Sequence, residues 1–334
     1  MTTAELNKAF KSFDGLNVII IGDIMMDSYY WGDVSRISPE APVPIVAVGK
    51  KESRLGGAGN VAVNIQAMGA NPLLCGVIGK DDNGDRLIKI LKDNRLSDAG
   101  LIRINGRPTT NKTRIISSAH HLIRIDEEDD SVISDTDSEK VYKSVESFIK
   151  SKKTAAIIFE DYDKGVISPA LINKVTALAE KHNIPTIVDP KKRNFSAYKN
   201  VTVFKPNLKE LREGLGEHVE ATSVAQLNKA VDRLRKEQKI DTALITLSEH
   251  GVYVNNGKEK EIIPAHIRKI SDVSGAGDSV VSVAALCTAI ELSPYDTAAL
   301  ANLAGGQVCE KAGVAPINKK QLLEEALHYM KPKS

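Results

Sequence analysis

Seven residues late in the chain, Asp272-Val273-Ser274-Gly275-Ala276-Gly277-Asp278, join a flexible backbone to a carboxylate. Glycines on either side of an alanine let the chain turn tightly, so several N–H groups can converge on one point. The small, apolar stretch Ser279–Glu291 that follows is helix-compatible. A helix start adds unpaired N–H donors and the positive end of its dipole. Gly275, Ala276 and Gly277 therefore read as an anion hole suited to a phosphoryl group in transit. A carboxylate beside such a hole is electrostatically unfavourable unless it has chemistry to do. For Asp278 that chemistry is taking the proton from a hydroxyl that attacks phosphorus. A plain glycine turn with an acidic helix cap explains the motif in isolation, so the rest of the chain decides.

Polar clusters follow apolar, strand-like runs at five further places. They are Asp23 and Asp27, Asp161 to Lys164, Asp189-Pro190-Lys191, Lys205-Pro206-Asn207, and Ser248-Glu249. Ligands of an open parallel sheet gather beyond the carboxyl ends of its strands, and five clusters on one rim exceed what solvation alone requires. Asn207 and Glu210 stand three apart at a helix start, either as a cap or as oxygen groups that hold a hydrated Mg²⁺ through water. Lys191 and Lys205 each follow an apolar strand and read as phosphate contacts. Gly57-Ala58-Gly59-Asn60-Val61-Ala62 fits a relaxed dinucleotide fingerprint, but it follows the charged Lys50–Arg54 rather than a buried strand. The Walker pattern is absent, so the 275–278 turn must cradle any ATP.

The elements that position these residues alternate. Val18–Ile21 is a buried first strand. Ile24 to Gly57 lacks helical period and reads as an excursion of lid strands. From Ser138 onward, helices and strands alternate regularly as far as Thr242–Leu247, which predicts a parallel sheet covered on both faces. A basic, strand-like Ile262–Ile270 is expected to lead into the anion turn. The domain organisation expected is one unit over 1–334, with lid excursions at about 31–54 and 101–126. The run Glu127–Asp130 reads as a solvated loop. With 334 residues, 42% of them hydrophobic, the chain can bury a large core. Its 45 basic and 43 acidic residues give a net charge of +2, which offers no reason for a nucleic acid or membrane partner. Three widely spaced cysteines in apolar settings, and a charged N-terminal stretch unlike a signal peptide, point to a cytoplasmic setting.

Together these segments resemble the PfkB (ribokinase-like) family of carbohydrate kinases, over roughly Val18 to Ala315. Asp272–Asp278 is similar to that family's D-T-x-G-A-G-D motif, with Val273 where Thr is usual. Leu55–Asn60 is similar to its N-terminal glycine segment, and Asn207–Glu210 to its N-x-x-E motif. The resemblance implies a three-layer αβα sandwich with a mostly parallel central sheet and a small β lid. It implies ATP with Mg²⁺ as phosphoryl donor and Asp278 as base. It also implies nucleotide contacts from Lys205, Ser248, Glu249, Gly251 and Asp272, and a homodimer paired through the lid strands.

Within the family, Gly22–Gly32, Ser35–Pro44, Pro108–Arg114, Leu122–Asp126 and Asp189-Pro190-Lys191 are most similar to members that phosphorylate a heptose 7-phosphate on its anomeric hydroxyl, for lipopolysaccharide or S-layer precursors. Nothing resembles the nucleotidyltransferase domain fused to some of those members. Lys192-Arg193 follow Lys191 where a glycine is common. The acceptor contacts expected on this basis are Asp23, Asp27, Gly57, Asn60 and Asp189 for hydroxyls. Arg36, Lys112, Arg114, Arg124 and Lys191 are expected for the distal phosphate, since a dianion needs guanidinium or ammonium partners. Another sugar kinase of the family, or a sugar-phosphate sensor without catalysis, are the alternatives. The intact Asp278 argues against the sensor.

Overall fold

A capping box in which Thr2 and Glu5 satisfy each other's backbone N–H groups starts α1 (Thr3–Ser12), an element the sequence reading did not foresee. The computed structural model describes residues 1–118 and 120–330, so the last four residues of the expected unit lie outside the described residues. The β-branched run after α1 forms β1 (Asn17–Gly22). A long hairpin follows, β2 (Ile24–Ile37) and β3 (Pro44–Gly57), then α2 (Ala58–Ala67), β4 (Asn71–Gly79), α3 (Asp82–Asp93) and β5 (Gly100–Ile104). A second hairpin, β6 (Asn111–Ser117) and β7 (His120–Glu127), precedes the regular part of the chain. That part runs α4 (Asp135–Ser151), β8 (Thr154–Glu160), α5 (Pro169–Lys181), β9 (Thr186–Asp189), β10 (Val203–Phe204), α6 (Leu208–Leu215), α7 (Val224–Gln238) and β11 (Thr242–Thr246). The chain closes with β12 (Val252–Asn255), β13 (Lys260–Ile263), α8 (Ala276–Ala289), α9 (Pro294–Val308) and α10 (Lys319–Tyr329).

Among the described residues the strands form two sheets. The larger has nine strands in the order β13-β12-β11-β10-β9-β8-β1-β4-β5, and only β12 runs against the others. Side chains of β1 alternate between its faces. Val18 and Ile20 join one hydrophobic cluster with α1, α2, α8, α9 and α10, while Ile19 and Ile21 join another with α4, α5 and α7. Two clusters on opposite faces of one sheet make the three-layer sandwich. The smaller sheet, β3-β2-β6-β7, is the lid. Gly100–Ile104, placed at the start of the second lid excursion on sequence, pairs with β4 at the edge of the large sheet instead. The expected strand Ile262–Ile270 stops at Ile263, because Pro264 lacks the N–H that would continue the ladder.

Candidate active site

The helix α8 opens at Ala276, and Gly275 caps it in the left-handed region at φ 81°. A side chain there would be strained, and its Cβ would lie 2.9 Å from the Asn60 amide nitrogen. That close approach lets Asn60 Nδ2 donate to Asp278 Oδ2 at 2.6 Å. The Tyr162 hydroxyl donates to the other oxygen, Oδ1, at 2.8 Å. Burial pushes the Asp278 carboxyl above the usual carboxylate range, and these two hydrogen bonds oppose the shift by favouring the charged form. The result is a desolvated carboxylate held by two donors at a helix N-terminus. Asp272, expected to touch nucleotide, is spent on the turn itself. Its oxygens accept from the Ser274 and Gly313 backbone N–H groups, each at 2.9 Å.

Beneath the turn lies the rim of strand ends. Lys205 is buried and pairs with Asp189 Oδ2 at 2.8 Å; its Nζ lies 3.7 Å from where a Gly277 Cβ would be. Lys191 pairs with Glu210, lies 3.7 Å from Asp189 Oδ1, and sits over the Tyr162 ring at 5.2 Å. Burial would lower both lysine pKa values, but the facing carboxylates outweigh it and hold them raised, so both are charged. Lys191 thus lies in an ion cluster on the strand-end rim, where its position after an apolar strand put it. Asn207 and Glu210 form a full capping box, each accepting the other's backbone N–H at 2.8 Å. Both the capping reading and the site reading apply to Glu210, because its second oxygen takes Lys191.

The lid presents a polar face. Asp27 pairs with Arg114 across the parallel β2–β6 ladder, and Arg114 and Arg54 both stack on the Tyr29 ring at 5.3 Å. Arg54 donates to the Val314 carbonyl at 2.8 Å, so this face closes onto the loop that also anchors Asp272. Asp27, Arg114, Arg54 and Tyr29 thus form one polar cluster on the smaller sheet.

A family model described as pfkB family carbohydrate kinase matches residues 16–321. The chain belongs to that family. It is a sugar kinase, and such kinases draw the phosphoryl group from ATP. Among its relatives, the bifunctional protein HldE of Caulobacter sp. (strain K31) is 38% identical over 95% of this chain and 64% of its own length. That of Wolinella succinogenes is 36% identical over 92% of this chain and, again, 64% of its own. The chain therefore spans less than two thirds of these relatives. Phosphofructokinase-2 of Escherichia coli, solved with potassium, superposes with a TM-score of 0.77 at 18% identity, over 95% of this chain and 99% of that one. A ribokinase of Arabidopsis thaliana, solved with ribose and ATP, gives 0.69 at 17%, over 93% and 99%. These likenesses establish the ribokinase-like fold of the kinase.

Other expected site residues of the kinase fall elsewhere. Asp23 is not open to a sugar hydroxyl. Its carboxylate accepts the backbone N–H groups of Tyr162, Lys164 and Val166 at 2.8, 3.1 and 3.2 Å. Burial and the nearby Asp161 still push it up to about 6. Gly57 caps α2 at φ 55°, where a Cβ would strike the Asp23 carbonyl at 2.4 Å, so its role is close backbone approach. Arg36 is exposed nine positions along β2 from Asp27, about 30 Å at strand rise. Arg124 is exposed and engages Asp126 with two hydrogen bonds of 2.9 Å. Lys112 is held by Asp126 at 3.2 Å and Glu128 at 2.7 Å. Ser248 and Glu249 form a short exposed turn after β11, closed by Gly251.

The acidic run proved to be more than a solvated loop. Glu127 accepts from Asn111 at 2.8 Å, and Glu128 bridges Lys112 and Lys164 at 2.7 Å each. Asp129 and Asp130 face Arg107 and Arg193. The run ties the lid to the rim. Tyr162 went unnoticed by sequence reasoning as a site residue, although it stands within the Asp161–Lys164 cluster; a phenol between two aspartates after an apolar strand was the available signal.

Proposed function

We propose that this kinase transfers the γ-phosphoryl group of ATP to the anomeric hydroxyl of D-glycero-D-manno-heptose 7-phosphate. The product is the 1,7-bisphosphate, a cytoplasmic precursor for lipopolysaccharide or S-layer heptose. The observation that supports the reading is the pairing of Asp27 with Arg114 on the smaller sheet. A hydroxyl at Asp278 would leave a seven-carbon chain pointing toward that basic face, with its phosphate near Arg114 and Lys112. Both cations are already neutralised in part by Asp27, Asp126 and Glu128. The phosphate would therefore have to displace or share these carboxylates, and its net gain is smaller than the charge count implies.

Asp278 would take the hydroxyl proton as the oxygen attacks phosphorus, while the 275–277 N–H groups and Lys205 beneath them balance the charge that spreads over the phosphoryl oxygens. Mg²⁺ fits this site through water rather than by direct ligation. Among the described residues no cluster of three or more acidic, histidine or cysteine side chains is set to hold a metal. Glu210 and Asn207 offer oxygens at the rim, and Mg²⁺ retains its waters readily. When bound, the ion would neutralise charge on the ATP phosphates.

We further propose a homodimer through the lid. On β7, Ile123 and Ile125 alternate with the polar Arg124 and Asp126 and are 56% and 48% exposed. An apolar face on an edge strand favours pairing with a second copy. The test of the substrate is coupled ADP release across heptose, heptose 7-phosphate and hexose 6-phosphates. A preference for a hexose phosphate would reassign the kinase to another sugar.

A further inference from the structure

Among the described residues, one buried carboxyl has no hydrogen-bond partner for either oxygen. Glu160, the last residue of β8, is completely buried, and neither of its side-chain oxygens makes a hydrogen bond. An unpaired buried carboxylate is among the most unfavourable groups a fold can carry. Its surroundings are set by register. On one side its partner in β1 is Gly22, which has no side chain to offer. On the other its partner in β9 is Asp189. Neighbouring strands are about 4.8 Å apart, and register partners in a parallel pair project from the same face. Two residues earlier, Ile158 and Ile187 are also register partners, and both pack in the cluster that contains α8. Glu160 and Asp189 therefore face α8, under the turn that carries Asp278.

Asp189 is half satisfied. Its Oδ2 holds Lys205, whereas its Oδ1 is buried without a hydrogen bond. Three orphan oxygens thus lie on adjacent strand ends, all of them acceptors. We infer that Glu160 is a neutral carboxylic acid in the resting kinase, donating its O–H to Asp189 Oδ1 and so fixing Asp189 and Lys205 beneath the phosphoryl-binding turn. One proton turns two orphan acceptors into a hydrogen bond. Asp189 keeps its ion pair with Lys205. The charges around Glu160 favour this state: Asp189 and Asp278 oppose its ionisation, Lys205 and Lys191 favour it, and burial, the largest effect, opposes it. The Tyr162 phenol also lies in reach of this charge and supplies no cation, and Lys191 is further engaged by Glu210. Glu160 is then a positioning residue: it acts through Asp189 and Lys205 and does not touch the reacting atoms. This role rests on the kinase reading of the turn, but the protonation state does not.

The test reads the proton directly. Infrared spectra of the protein without ligands, at pH 7 and with glutamate labelled by ¹³C, should contain a protonated carboxyl band that is missing from Glu160→Gln. Melting curves give a second measure. A carboxyl whose folded pKa is raised lowers stability increasingly as pH climbs from its unfolded pKa to its folded one. The melting point of E160Q should therefore gain on wild type as pH rises from 5 to 8. In turnover, the neutral amide should restore most of what Glu160→Leu loses, and the alkaline limb of the wild-type profile should move in E160Q. Absence of the acid band at pH 7 would overturn the inference, as would a melting difference that does not change with pH. So would stabilisation by added K⁺ or Mg²⁺ of wild type alone with no acid band, since a cation would then occupy the place of the proton. The spectrum of labelled wild type stands even if a variant does not fold. Neither spectra nor melting needs a substrate, so a wrong sugar assignment leaves both intact.

Discussion

Tyr162 and Asp278, 116 positions apart in the chain, meet through a 2.8 Å hydrogen bond from the phenol to the carboxylate. The phenol favours the ionised carboxylate and fixes the direction of its free lone pairs. Removing it with Tyr162→Phe should lower turnover by about 10- to 100-fold, the worth of a hydrogen bond to a charged group. Asp278 acts only when ionised, so activity falls as pH drops through its raised pKa. Without the phenol that pKa rises further, and the acid limb should move to higher pH. A pH–rate profile with an unmoved acid limb would reduce Tyr162 to packing.

Replacing the base tests the centre of the site. Asp278→Asn keeps the shape and the hydrogen bond from Tyr162 but cannot accept a proton. Turnover should fall by about 10²–10⁴-fold, the usual contribution of general base catalysis, while ATP binding persists. Equilibrium binding of ATP measured beside steady-state rates separates the two.

Glu210 has two duties, and they can be told apart. Glu210→Gln retains an oxygen for the capping box, so the melting point should change little. It loses the charge facing Lys191 and any metal-bound water, so the Mg²⁺ concentration for half-maximal rate should rise. An unchanged Mg²⁺ titration would leave Glu210 as a cap and ion-pair partner alone.

The acceptor phosphate should be read mainly by the lid. Arg114→Ala should lower kcat/KM for heptose 7-phosphate by about 10-fold or more, from loss of a charge-assisted contact, and leave the low rate on free heptose nearly unchanged. Equal losses on both sugars would mean that Arg114 only orients Asp27.

Charge on the outer lid face should prevent the proposed pairing of two copies. Ile123→Glu with Ile125→Glu places two carboxylates where the apolar faces would meet. Sedimentation should then give a monomer where wild type gives a dimer; a wild-type monomer at the same concentration would refute the pairing.

Much of the fold was legible because period and punctuation agreed. The helix–strand alternation after Ser138 and the glycine turn before Asp278 both follow from local chemistry. Partnerships between charges were not legible. A sequence marks Asp23, Asp272 and Lys191 as polar at strand ends, but not that the first two spend their oxygens on backbone N–H groups. Nor does it reveal that Lys191 faces Glu210. Neither does it show how far along the extended β2 Arg36 stands from Asp27. Glu160 looked like the ordinary polar end of a strand. Only the register of three strands isolates it.

The way the lid joins the body has a mechanical outcome. β1 passes into β2 through Asp23 alone, β3 runs into α2 with no residue between Gly57 and Ala58, and the Asp23 carbonyl accepts the Ala58 N–H at 3.0 Å. Both arms of the hairpin thus pivot on one residue, and that residue's carboxylate grips the segment carrying Tyr162. A lever mounted this way cannot swing without turning its own axle. Closing the lid over a sugar would therefore tug the phenol that aims the base, so that filling the cleft and cocking the catalyst become a single stroke.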